Sequence, residues 1–322
     1  MMTVFWSLGD VMSMAQVFGV VAIGVHLCVK GEITLGTYLA FVSYTRQLTW
    51  PVRALGRTLS EMSKAGVSID RLLYILGAEQ EQSPAKPLAA NLSGDICFDH
   101  VSFAYEQKKV LRDVSFTVKG GSTLGILGET GSGKSTTMSL LSGLLTGTEG
   151  SLFVGGERIT ESNRGTLLKS VSSIPSTTYL VNDTLRNNLR LGEVNSGVLA
   201  QVIESFGMDK LAMNLPNGYD TVIGPTGVQL SGGQQKLVGL ARGLSVNRNF
   251  FLLDEVTTGL DDHAVEKVMS YLLEMDQTLV LITHNLKYID RMDHIILFDD
   301  GRVVASGTYD EISKVWGELN EA

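Results

Sequence analysis

The sequence predicts an α/β domain built on a mixed sheet around a phosphate-binding loop, preceded by a transmembrane helical hairpin. Three observations carry this reading. A charge-free apolar run fills the front of the chain. Behind it, apolar runs of strand length alternate with helical stretches. One of those runs leads directly into the glycine-rich segment GETGSGKST.

The chain has 322 residues, enough for one large or two medium domains. Its 34 acidic and 26 basic residues give a net charge of -8, which argues against a nucleic-acid partner. Cys28 and Cys97 are the two cysteines, far apart in sequence. They form neither a metal pattern nor a disulfide framework, so a reducing compartment is expected. The mean hydropathy of +0.15 is high for a soluble protein, and the excess lies at the front.

The first apolar run, VMSMAQVFGVVAIGVHLCV from Val11 to Val29, has the length of a bilayer span. The second, ITLGTYLAFVSYTRQLTW from Ile33, carries Arg46, and only KGEITLG separates the two. A signal peptide fits poorly, because no basic residues precede the first run and no small-residue cleavage site follows it. Arg46 faces a protein interior or water, or the second helix is less buried there. Arg53, Arg57, Lys64 and Arg71 lie beyond the second run, whereas the turn has only Lys30. The positive-inside rule therefore places both ends of the hairpin in the cytoplasm, as in a multi-pass protein of the cell membrane. Helical periodicity continues through VRALGRTLSEMSKAGVSIDRLLYIL, so the second helix should project from the membrane. The expected boundaries are a partial membrane domain over 1–79, a proline-bearing linker over 80–93 and a soluble domain over 94–322.

That domain opens with ICFDHVSFAY and LRDVSFTV, whose period of two suggests antiparallel strands. TLGILG, FFLLDE and TLVLITH read as buried parallel strands. HIILFDDGRVVASG reads as a hairpin turning at Asp300-Gly301.

GETGSGKST fits the full P-loop pattern in its strand–loop–helix setting, which disfavours a chance glycine-rich turn. Gly128, Gly131 and Gly133 let backbone N–H groups wrap phosphates. Lys134 supplies charge to the β- and γ-phosphates, and Ser135 can coordinate Mg²⁺. Glu129, Thr130, Ser132 and Thr136 complete the candidate ATP-binding loop. FFLLDEV delivers Asp254 and Glu255 to the carboxyl end of a strand, where ligands of open parallel sheets bind. Asp254 would hold Mg²⁺ through its water shell, and Glu255 would orient the attacking water. His284 closes TLVLITH at the same kind of strand end. His26, His100, His263 and His294 read as structural.

LSGGQQK, Leu230 to Lys236, poses a separate question. It sets Ser231, Gly232 and Gly233 at a helix start, a second place suited to a phosphate, about a hundred residues from the first.

From Gly94 to about Leu319 these residues resemble the nucleotide-binding domain of ATP-binding cassette (ABC) transporters. The resemblance implies a P-loop NTPase cassette with a mixed-sheet core, an antiparallel β subdomain and a helical subdomain. LSGGQ matches the family signature, and Tyr105 matches the aromatic that stacks on adenine. Asp261 in TGLD matches the loop that crosses between subunits, and His284 the switch histidine. In this family two cassettes pair head to tail, so Ser231, Gly232, Gly233 and Gln234 are expected to act on the ATP held by a second ABC subunit, identical or different. A monomer should hold ATP yet hydrolyse it poorly. KGEITLGTYLAF and NGYDT resemble exporter segments, with the hairpin matching helices five and six of a six-helix half.

Three departures from the family pattern stand out. Ser176 replaces the glutamine that links Mg²⁺ to the membrane domain, and it could reach the ion only through water. Pro225 and Thr226 stand where exporters carry an acidic-basic pair, and Leu237 where an arginine is usual. Slowed or altered hydrolysis is therefore expected rather than a dead site. Two helices cannot enclose a transport route, so a piece of a longer gene product is expected; a partner supplying the missing helices, or a decayed gene, are the alternatives. An ATPase powering export of an unidentified substrate leads this reading. A mechanical ATPase on nucleic acid and an ATP-binding subunit with little turnover compete with it.

Overall fold

The computed structural model describes residues 2–78, 92–161, 163–283 and 286–321. His284 lies outside the described residues, as does the expected linker up to residue 91. The chain divides into two compact units, Met1–Gln80 and Glu81–Ala322.

The first unit is a helical hairpin of α1 (Met2–Val29) and α2 (Leu35–Leu76). The turn between them is closed by Lys30, Gly31 and Glu32, whose N–H groups donate to carbonyls at the end of α1. Thr34 caps α2, its hydroxyl accepting from the Thr37 N–H at 3.2 Å, as N-cap threonines do. Among the described residues one helix, over Val11–Val29, is long and apolar enough to cross a membrane. The second apolar run does not reach that standard, because Arg46, Gln47 and several hydroxyls interrupt it. At 42 residues, α2 is about 63 Å long, roughly twice the hydrocarbon thickness of a bilayer.

The second unit is built on two sheets. The antiparallel one runs β2-β1-β4-β5, from β1 (Ile96–Tyr105), β2 (Lys108–Val118), β4 (Glu149–Val154) and β5 (Glu157–Ile159). The six-stranded one runs β12-β11-β3-β10-β9-β6. Its members are β3 (Thr123–Gly128), β6 (Val171–Ile174), β9 (Phe250–Asp254), β10 (Thr278–Ile282), β11 (His294–Asp299) and β12 (Arg302–Gly307). All are parallel except β12, which pairs antiparallel with β11 across the Asp300-Gly301 turn. The strands expected from period and from apolar runs are all present, in the expected senses.

Helices fill both faces. The segment α3 (Lys134–Leu141) follows the P-loop, and α4 (Arg164–Ser170) precedes β6. A helical region inserted between β6 and β9 holds α5 (Leu185–Leu189), α6 (Ser196–Phe206), α7 (Met208–Met213) and α8 (Gly232–Leu244). The two-stranded β7 (Asp183–Thr184) and β8 (Val222–Ile223) lie within it. Past β9 come α9 (Asp262–Leu273) and, at the end, α10 (Tyr309–Glu321).

Burial explains the arrangement. Along β9, Phe250 and Leu252 join one core with the antiparallel sheet, while Phe251 and Leu253 join another with the inserted helices. β10 divides the same way: Val280 and Ile282 on one side, Leu279 and Leu281 on the other. A strand buried on both faces must be apolar throughout, hence the runs FFLL and TLVLI. The first core includes Phe98 stacked on Phe116 at 4.4 Å between ring centres. Because β3, β9 and β10 are parallel, with Ile282 beside both Ile126 and Asp254, their carboxyl ends share one edge of the sheet.

Candidate functional site

The P-loop leaves β3 at that edge. Gly128 has φ 144°, and a Cβ there would overlap the Phe298 carbonyl, so no other residue fits the exit from the strand. The loop is braced from the β11–β12 turn, where the Gly301 N–H donates to the Ser132 carbonyl at 3.0 Å. Arg112 pairs with Asp300 at 2.6 Å on the same turn. Glu129, Thr130 and Gly131 are exposed at the loop's crown, whereas Ser132, Gly133, Lys134 and Thr136 are buried.

Lys134 Nζ donates to the carbonyls of Gly128 (2.8 Å) and Glu129 (2.6 Å). Burial holds its ammonium below the ordinary lysine value, with the charges of Glu255, Asp254 and Glu129 pulling the other way. A buried cation close to two carboxylates and ringed by carbonyls is suited to an anionic ligand. The Ser132 hydroxyl, buried without a hydrogen-bond partner, supplies a further donor inside the loop. These groups fit a nucleotide's phosphates.

Ser135 and Asp254 meet directly, Ser135 Oγ donating to Asp254 Oδ2 at 3.2 Å. A hydroxyl and a carboxylate are oxygen ligands of the kind Mg²⁺ takes. Glu255 follows in the left-handed region at φ 48°, a conformation that costs a non-glycine residue about 1–2 kcal/mol. Its N–H donates to the Ile282 carbonyl at 2.9 Å, an interaction that offsets about 1 kcal/mol. Tyr105 stands half-exposed at the end of β1, its ring edge-on to Phe103 at 4.9 Å.

The helix start expected at LSGGQQK is α8. Ser231 caps it, its hydroxyl accepting from the Gln234 N–H at 3.3 Å while Gln234 Oε1 accepts from the Ser231 N–H at 2.9 Å. This reciprocal pair is a capping box. A cavity of about 660 Å³ opens there, lined by Ser231, Gly232, Gly233 and Gln234, by Thr258 to Asp261, and by Ser176. No residue of the P-loop lines it. Asp261 caps α9, accepting from the Ala264 N–H at 2.8 Å. The structure therefore brings Lys134, Ser135, Asp254 and Glu255 to one place, and the signature with Asp261 to another. Ser176 stands with the second group.

Of the departures, Leu237 is half-buried against the helical core. Thr226 is clasped by Asn182, which accepts from both its hydroxyl (2.6 Å) and its N–H (3.3 Å). Two side chains that the motifs did not single out also act here. Arg242 donates to the Tyr179 carbonyl at 3.1 Å, anchoring the segment that follows Ser176. Lys236 donates to the carbonyls of Glu255 and Thr258. A hint of the latter was available, since a lysine near a helix start opposes the dipole and asks for an acceptor.

Comparison with known proteins agrees with this geometry. Residues 111–258 match the family model described as ABC transporter. A putative multidrug export ATP-binding/permease protein of Bacillus subtilis is 32% identical over 303 residues, 91% of this chain and 52% of that protein. An ATP-dependent lipid A-core flippase of Photobacterium profundum is 32% identical over 293 residues, 88% of this chain and 50% of that protein. A solved bacterial Atm1-family ABC exporter with ATP bound superposes with a TM-score of 0.73 at 25% identity, over 96% of this chain and 57% of that one. The chain thus spans about half the length of the relatives it matches.

Proposed function

Since this chain belongs to the ABC transporter family, we propose that it binds and hydrolyses MgATP in a head-to-tail cassette dimer and that turnover powers export across a membrane. The separation of its two phosphate-gripping elements carries this reading. The P-loop and the start of α8 face different spaces, and the α8 cavity holds no lysine or carboxylate of the P-loop group. A nucleotide gripped by both needs two chains, identical or related. In this reading residues 94–322 form the soluble domain, residues 80–93 a linker and residues 1–79 a partial membrane domain. The apolar helix and the exporter relatives support a place in the membrane, with the cassette in the cytoplasm.

Each residue's part follows from its position. Lys134 and the P-loop N–H groups bind the phosphates, and Tyr105 offers its ring to the adenine. Ser135 and Asp254 would hold Mg²⁺, which neutralises phosphate charge when bound. Glu255 accepts a proton from the attacking water, and His284 takes the switch-histidine role that its match to the family motif implies. Ser231, Gly232, Gly233 and Gln234 close on the partner's nucleotide, and Asp261 lies on the crossing loop. Ser176, exposed in the signature cavity, favours a second reading in which this subunit holds ATP with little turnover.

The discriminating experiment uses Glu255→Gln in the full chain in detergent micelles. With saturating MgATP the variant should run at twice the protomer mass in light scattering, and the wild type only transiently. A variant that stays monomeric would sink the composite site. A wild type that binds ATP without releasing phosphate would establish the second reading.

A further inference from the structure

We propose that Lys236 is a positioning residue for Glu255, tying the start of the signature helix to the catalytic carboxylate of the same chain; this rests on the function proposed above. The Lys236 ammonium donates to the Glu255 carbonyl at 3.0 Å and to the Thr258 carbonyl at 2.6 Å. The Glu255 carbonyl also accepts from the Thr258 N–H at 3.2 Å, so the lysine clasps both ends of one tight turn. The turn needs holding, because Glu255 sits at φ 48°, where a side chain is disfavoured. On its other side the peptide is held through the Ile282 carbonyl. A second link lies one residue on, where a Cβ on Gly233 would stand 3.0 Å from the Gly259 carbonyl. The first two turns of α8 therefore grip residues 255–259 through a charged side chain and through close backbone contact. Charge-assisted bonds to carbonyls are about twice as strong as neutral ones.

The consequence is directional. The signature serves the nucleotide of the partner, and Glu255 serves the nucleotide of its own P-loop. Closure of α8 on one ATP then sets the carboxylate that acts on the other, and Lys236 is the physical link.

The test compares Lys236→Met and Lys236→Arg in the full chain in detergent micelles, measuring phosphate release, KM for ATP and melting temperature. Methionine keeps the length and apolar stem without donors; arginine restores two donors. We expect Lys236→Met to lower kcat at least tenfold with KM within twofold, and Lys236→Arg to recover half or more of the wild-type rate. A Lys236→Met rate within twofold of an active wild type would overturn the positioning role and leave the proposed function standing. Parallel loss of kcat, ATP affinity and melting temperature, unrescued by arginine, would reduce Lys236 to a structural residue and overturn it too. A wild type without turnover would remove the proposed function and this inference with it.

Discussion

Ser135 Oγ and Asp254 Oδ2 lie 3.2 Å apart, joining the first turn of α3 to the last residue of β9. The contact unites two motifs that the chain separates by 119 positions, and it makes a ready pair of oxygen ligands.

Asp254→Asn should therefore uncouple metal from nucleotide. The amide keeps the hydrogen bond but loses the charge. ATP affinity measured by calorimetry should gain from Mg²⁺ in the wild type and no longer in the variant, with turnover falling about 100-fold or more. An unchanged Mg²⁺ effect would remove Asp254 from the metal site.

Gly233→Ala tests the approach of α8 to the crossing loop. The added Cβ would stand 3.0 Å from the Gly259 carbonyl, and backbone cannot yield as a flexible side chain can. A cost of about 1–3 kcal/mol is expected, read as a lower melting temperature. ATP binding at the distant P-loop should be unchanged in a fluorescent-nucleotide titration.

Ser176→Gln asks whether the short side chain limits turnover. Glutamine reaches roughly 2.5 Å farther and restores the residue type that the family pattern carries at this position. Phosphate release should rise severalfold, and an equal or lower rate would show that serine is not the limiting feature.

The His100–Asp113 pair on the antiparallel sheet predicts a pH effect. Asp113 accepts from or pairs with His100 Nδ1 at 2.6 Å and raises the imidazole pKa, by hydrogen bonding first and by charge second. A raised folded-state value stabilises fully below the unfolded pKa near 6.5 and is lost as pH rises through the folded value. The melting-temperature gap between wild type and Asp113→Asn should thus be wider at pH 5.5 than at pH 8.5. A constant gap would show that the pair carries no charge.

Much of the cassette was legible because its strands are short, apolar and buried on both faces, and because the P-loop and LSGGQ carry their own backbone requirements. Asp254, Lys134 and the cap at Ser231 stand where those patterns place them. Other features depend on distant partners. A lysine near a helix start asks for an acceptor, but which one is set by tertiary packing, here the Glu255 and Thr258 carbonyls. Ser176 lines the signature cavity, a placement that its neighbours in sequence do not announce. Among the described residues Val11–Val29 is long and apolar enough to cross a membrane, while Arg46 and several hydroxyls lower the hydropathy of the second apolar run.

The division of β9 between two cores has a kinetic meaning. A strand locked from above and below by Phe250, Phe251, Leu252 and Leu253 has no low-energy local opening available. Its amides should exchange with solvent only when the whole domain unfolds. Asp254 ends that strand, so its position should survive breathing of the surrounding loops. If the proposed turnover involves motion, α8 and the residues after Glu255 are better placed to bear it than the end of β9.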